Sequence, residues 1–104
     1  MEQKEKKLQE MQMLEQNLQN LFFQKQSFQM ELSETLSALK ELESSGDQVF
    51  KIIGQLMIKK DKKSIKEELE NKKKLLELRL KSLEKQEEDL TTHAQNLRKQ
   101  IIKE

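Results

Sequence analysis

The chain has 104 residues with no Cys, Pro, Trp or Tyr, and 38% of them are charged against 4% aromatic. So few large side chains suggest one domain at most, and high charge with low hydrophobicity leaves two options, disorder or a long solvated helix. The net charge of +1 comes from 20 basic and 19 acidic residues. The two signs are interspersed, without the one-sided basic excess of a nucleic-acid binder. The absence of cysteine removes disulfides and thiolate chemistry. No apolar run approaches the roughly 20 residues that span a bilayer, and Met1 to Glu10 lack the apolar core of a secretory signal. The expectation is a soluble, cytoplasmic protein with neither nucleic acid nor membrane as partner.

The first predicted element is a helix over 2–44. Apolar residues recur at alternating steps of three and four, at Met11, Leu14, Leu18, Leu21, Phe28, Leu32, Leu39 and Leu42, with Lys25 and Thr35 at the two remaining seam positions. That rhythm is the signature of a coiled coil. Ser44-Ser45-Gly46-Asp47 then stops the helix, with Gly46 suited to a left-handed C-cap.

The middle segment, 49–60, breaks the rhythm. Val49-Phe50-Lys51-Ile52-Ile53 and Leu56-Met57-Ile58-Lys59-Lys60 are rich in strand formers. Gly54-Gln55 between them suits a two-residue type II′ hairpin turn. Pairing about that turn puts Lys51, Ile53 and Leu56 on one face and Phe50, Ile52 and Met57 on the other. Both faces are apolar, a lone hairpin is marginal in water, and two open edges invite further strands. The helical seams are narrow and already committed to each other. Hairpins from several subunits are therefore expected to join in a larger closed sheet.

The third element is a helix over 64–103, with its seam at Leu69, Lys73, Leu76, Leu80, Leu83, Glu87, Leu90, Ala94, Leu97 and Ile101. Ser64 and Glu67 have the spacing of a capping box. Glu70 with Lys74 and Glu77 with Lys81 have the favourable i,i+4 order. Two helices of similar length and matching seams fold back as an antiparallel pair, each roughly 60 Å long at 1.5 Å per residue. Lys25 and Glu87 then lie within a layer of each other. The register is open, and the expectation is that each snorkels to water instead of pairing.

With the hairpin at one end, the termini share the other. Met13, Phe22, Phe23 and Ile102 lie off the seam, beside Met11, Leu14, Leu97 and Ile101. Methionine is flexible and polarizable and serves promiscuous apolar binding. These eight residues are the candidate surface for exposed apolar stretches of non-native proteins. The competing reading, in which they broaden the seam or pack on a neighbouring helix, is at least as strong for Met11, Leu14, Leu97 and Ile101.

Nothing points to catalysis. His93 is the sole histidine, and the nearby Asp89 does not make a metal site of it. Gly46 and Gly54 are the only glycines, so a phosphate loop is absent. Lys59-Lys60-Asp61-Lys62-Lys63 reads as a polar strand end and helix lead-in. No enzyme activity and no cofactor are expected.

Helix, hairpin, helix at this length resembles the beta subunit of archaeal prefoldin. Val49-Phe50-Lys51-Ile52-Ile53-Gly54, followed by Leu56-Met57-Ile58-Lys59, is similar to the family's hairpin signature. Gln24-Lys25-Gln26, Leu76-Glu77-Leu78-Arg79-Leu80 and Leu83-Glu84-Lys85-Gln86-Glu87 match its helical pattern, and the likeness covers about residues 8 to 104. Phe50 stands where the family usually has Tyr, and the N-terminus lacks the usual Pro-containing lead-in. The resemblance implies a mainly α fold over 1–104 as a single prefoldin-like domain: a long antiparallel two-helix coiled coil with a β-hairpin at the bend. It implies hairpins assembled, through Val49, Phe50, Ile52, Ile53, Leu56, Met57 and Ile58, into an intersubunit β-barrel platform within a hetero-hexamer of alpha-type and beta-type chains. It further implies an ATP-independent holding chaperone that captures unfolded proteins and delivers them to a group II chaperonin. The alternative is a coiled-coil tether or scaffold that holds no clients, which leaves the central hairpin without a use.

Overall fold

The computed structural model describes residues 2–103. Four elements follow one another: helix α1 over Glu2–Ser44, strand β1 over Gln48–Ile53, strand β2 over Leu56–Asp61 and helix α2 over Lys62–Lys103. Both helices are free of Gly and Pro and rich in Leu, Glu, Lys and Gln, all good helix formers. Glu2 and Glu5 in the first turn of α1 and Lys103 in the last turn of α2 oppose the helix dipoles at those ends.

The residues group into two compact units, a terminal unit of 2–27 with 79–103 and a hairpin unit of 28–78. The heptad seam is the core of each. In the terminal unit Leu14, Leu21, Leu80, Leu83 and Leu97 are buried; in the hairpin unit Leu42, Leu76 and Thr35 are. The other seam positions are half-buried, Lys25, Lys73 and Glu87 included. Burying a leucine is worth about 1.5–3 kcal/mol, so these few layers carry much of the cohesion of each unit. Thr35 is 3% exposed, and its hydroxyl donates to the Glu31 carbonyl at 2.8 Å. That bond satisfies the one polar side chain in the buried set within its own helix.

Lys25 and Glu87 make the ion pair that snorkelling was expected to prevent, with Nζ 3.8 Å from Oε1. Both side chains keep partial contact with water while meeting over the seam. Glu10 meets His93 at 3.1 Å in the same unit. In the hairpin unit Lys72 reaches Glu31 at 3.4 Å, and Glu77 pairs with Lys73 at 4.0 Å. Exposed pairs of this kind contribute about 0–1 kcal/mol each. Those that join the two helices choose between registers more than they stabilise.

Both inner helix ends differ from expectation. Gly46 does not adopt the left-handed conformation; Gly54 alone among the described residues has positive φ. Helix α1 instead ends on serine hydroxyls. Ser44 Oγ donates to the Glu41 carbonyl at 3.2 Å and Ser45 Oγ to the Leu42 carbonyl at 2.9 Å. The Ser45 amide also reaches Leu42 at 3.3 Å, tightening the last turn. The last turn of α1 holds no basic residue. Lys62 supplies one, donating from Nζ to the Ser45 carbonyl at 3.0 Å. Helix α2 begins at Lys62, directly after β2, so Ser64 lies inside its first turn and is not the N-cap. Asp61 holds the position before the helix, where an aspartate suits the free amides.

Candidate functional site

The hairpin is a two-stranded antiparallel sheet with Gln48 opposite Asp61, Phe50 opposite Lys59, Ile52 opposite Met57 and Ile53 opposite Leu56. The register is the one the Gly54-Gln55 turn dictates. Gly54 has φ of 60° and Gln55 does not share the positive sign, which fits a type II′ turn. A Cβ on Gly54 would meet nothing within 4 Å, so the backbone conformation alone demands glycine there.

Alternation along the strands gives two apolar faces. Phe50, Ile52 and Met57 lie on one; Ile53, Leu56 and Ile58 lie with Val49 and Lys51 on the other. All six of the large side chains are exposed, from Ile58 at 38% to Ile52 at 69%, and Val49 is half-buried. Strand β2 is exposed along its whole length. Phe50, Ile52 and Met57 also border an open groove with Leu42, Ile65 and Leu69 from the helix ends. The seven hairpin residues singled out by sequence thus form one continuous apolar ribbon with an unpaired edge on either side.

One polar tie joins the middle of the ribbon to α2. The Lys51 ammonium pairs with the Glu68 carboxylate on α2. That hydrogen bond is the largest influence holding the Glu68 carboxyl below its ordinary range, with the charges of Lys51, Lys60 and Lys72 adding to it.

In the terminal unit the eight candidate client residues separate into three groups. Met13, Phe22, Phe23 and Ile102 are exposed, Ile102 at 73%. Met11 and Ile101 are half-buried. Leu14 and Leu97 are buried at 7% and 5%, filling seam layers, so neither presents a surface as the chain stands. Phe22 and Phe23 lie midway along α1 and not at its free end. Their rings meet edge-on, with centroids 5.9 Å apart at 61°. Near the free ends Met11, Leu18, Ala94, Ile101 and Ile102 line an open groove with Leu8. Leu8 escaped the sequence reading because it stands alone among charged neighbours; its position three residues before Met11 was the available signal. Exposed Met30, Leu36, Leu75 and Leu78 in the hairpin unit also lie outside the residues that sequence singled out.

A family model described as prefoldin subunit matches residues 3–104. The chain belongs to the prefoldin subunit family. Within it the likeness is to the beta class. The chain is 37% identical over 93 residues to prefoldin subunit beta of Sulfurisphaera tokodaii, covering 88% of this chain and 74% of that one. It is 40% identical over 89 residues to the Thermococcus onnurineus protein of the same name, covering 84% and 77%. The crystal structure of the prefoldin beta subunit from Thermococcus strain KS-1 superposes with a TM-score of 0.88 at 39% identity, covering 95% of this chain and 89% of that one. The resemblance read from the hairpin and the helical motifs is therefore correct, as is the mainly α fold with a hairpin between two long helices. The chain has a prefoldin chaperone role, and a bare tether is not favoured. Membership implies assembly with other prefoldin subunits and a chaperone's work rather than an enzyme's. Among the described residues, no helix is long and apolar enough to cross a membrane.

Proposed function

We propose that this beta-class prefoldin subunit acts in the cytoplasm as part of an ATP-independent holding chaperone. The whole stretch 1–104 works as one prefoldin-like subunit. Its hairpin joins those of an alpha-type subunit and further beta copies in a hetero-hexamer with a β-barrel platform. The observation that carries this reading is the ribbon: six large apolar side chains exposed beside two unpaired strand edges. An uncovered edge of that kind invites pairing with another strand.

The exposed apolar residues of the terminal unit then serve unfolded clients. Met13, Phe22, Phe23 and Ile102 present surface directly, with Met11 and Ile101 at the margin of the same groove-bearing region. An unfolded chain offers scattered apolar side chains in no fixed geometry. Flexible methionine and exposed aromatic rings suit it better than a shaped pocket. Delivery to a group II chaperonin completes the reading, which needs neither nucleotide nor cofactor.

The test is suppression of aggregation. The full chain, reconstituted with an alpha-class prefoldin subunit, is added to a protein refolding from denaturant, and light scattering is followed. The complex is expected to hold scattering down without ATP. Changing Met13, Phe22, Phe23 and Ile102 together to serine is expected to remove most of that effect while leaving the assembled mass intact. An intact assembly that fails to suppress aggregation would end the holding role.

A further inference from the structure

Between Val49 and Ile58 there is one charged residue, Lys51. It stands on the ribbon face that carries Ile53, Leu56 and Ile58, directly opposite Ile58 in the ladder. Any subunit that covers this face must also cover the Lys51 stem and take its ammonium partly out of water. An unpaired buried charge is costly enough to oppose association. The side chain is already down to 36% exposure, against 52% for Glu68, before any partner arrives.

We propose that Glu68 is a positioning residue for assembly: it neutralises Lys51 from helix α2, so that this ribbon face can be covered by a neighbouring prefoldin subunit. The proposal rests on the hairpin-mediated assembly described above. Seventeen residues of sequence separate the two charges, and the fold brings them together beside the middle of the ribbon. Glu68 reaches the lysine from a helix, so the charge is met without a carboxylate occupying the sheet face itself. The other cations near Glu68 are Lys60, on the same ribbon face, and Lys72, one helical turn along α2. Lys72 has its own carboxylate in Glu31.

The idea makes an asymmetric expectation. Glu68→Gln leaves Lys51 charged and unmatched in the interface. Lys51→Met removes the charge to be buried and leaves Glu68 solvated on its helix. Light scattering with mass determination, on full-length chain titrated with an alpha-class prefoldin subunit, gives the concentration for half assembly. Glu68→Gln is expected to raise it by about tenfold or more, as for truncation of one partner in a buried charge pair. Lys51→Met is expected to stay within about threefold of the unmodified chain, and Lys51→Met with Glu68→Gln to restore assembly to that range (margins set by the context dependence of charge pairs). Circular dichroism of each free chain should show unchanged helix content.

Assembly of Glu68→Gln at the unmodified concentration would overturn the proposal, because Lys51 would then be reaching water unaided. Equal defects in both single variants, without rescue in the double, would also overturn it, since that pattern marks a tie needed for the fold. Ile52→Asp separates this inference from the reading beneath it. If Ile52→Asp assembles normally, the hairpin is not the interface at all. If it fails while Glu68→Gln does not, only the role of Glu68 falls.

Discussion

Within the hairpin unit, Leu76 and Ile52 are side chains of equal size and similar apolarity. Leu76 is 4% exposed in the helical seam and Ile52 is 69% exposed on the ribbon. The seam spaces its leucines so that each helix hides them against the other. The ribbon alternates its apolar residues over two faces and has no layer to set against either. The chain covers one of these surfaces by itself and leaves the other exposed. Equal hydrophobicity is thus hidden in one place and exposed in the other, and periodicity decides which.

The sharpest way to break that contrast is to charge the ribbon. Ile52→Asp with Met57→Lys, which places opposite charges across from each other in the ladder, is expected to abolish assembly with an alpha-class subunit, measured by native mass. The subunit's own stability should move by no more than about 0.5 kcal/mol, as for exposed sites. The reciprocal change is Leu76→Ala, which opens a hole in the seam. It is expected to cost about 2–5 kcal/mol in denaturant unfolding of the chain. A loss comparable to that of an exposed leucine would mean the seam at this layer is not the core.

Gly54→Ala probes the turn that keeps the two ribbon faces in register. Forcing an L-residue to φ of 60° costs on the order of 1–2 kcal/mol. The effect should appear as faster amide exchange across 48–61, with the helices unchanged. The smallest expected effect concerns acid. Glu68's carboxyl titrates lower in the folded chain than its ordinary 4.5, chiefly through its hydrogen bond with Lys51. A depressed carboxylate stabilises the fold above its ordinary value, and that contribution is lost as pH falls through the lowered one. Exchange protection around Lys51 in the ribbon should therefore weaken below about pH 4.5 in the unmodified chain. Glu68→Gln should remove that step, and a step that persisted unchanged would assign it to another carboxylate.

The seam and the hairpin register could be read from the chain because both are periodic and each residue votes for the same answer. Leu14 and Leu97 follow from that rule too: their heptad positions bury them, whatever their nearness to the free ends. The helix ends were less legible. Whether Gly46 or the Ser44 and Ser45 hydroxyls close α1 depends on backbone angles over three residues, which composition does not determine. The start of α2 hid for a similar reason, since Asp61 ends a strand and precedes a helix at once. The Lys25–Glu87 and Lys51–Glu68 ties join residues far apart in sequence, and each required a register that apolar spacing leaves open.

Lys62 on the Ser45 carbonyl has a consequence for kinetics and heat. It pins the stem of the loop where the strands leave and rejoin the helices, independently of the ladder between them. A ribbon fastened at its root gives up much of its wandering before it meets another molecule. Docking should then resemble the meeting of preshaped bodies, with a heat-capacity change set by the apolar area covered and little added from ordering the backbone. Lys62→Met would loosen that root, and calorimetry of subunit association should then register a larger, more negative heat-capacity change.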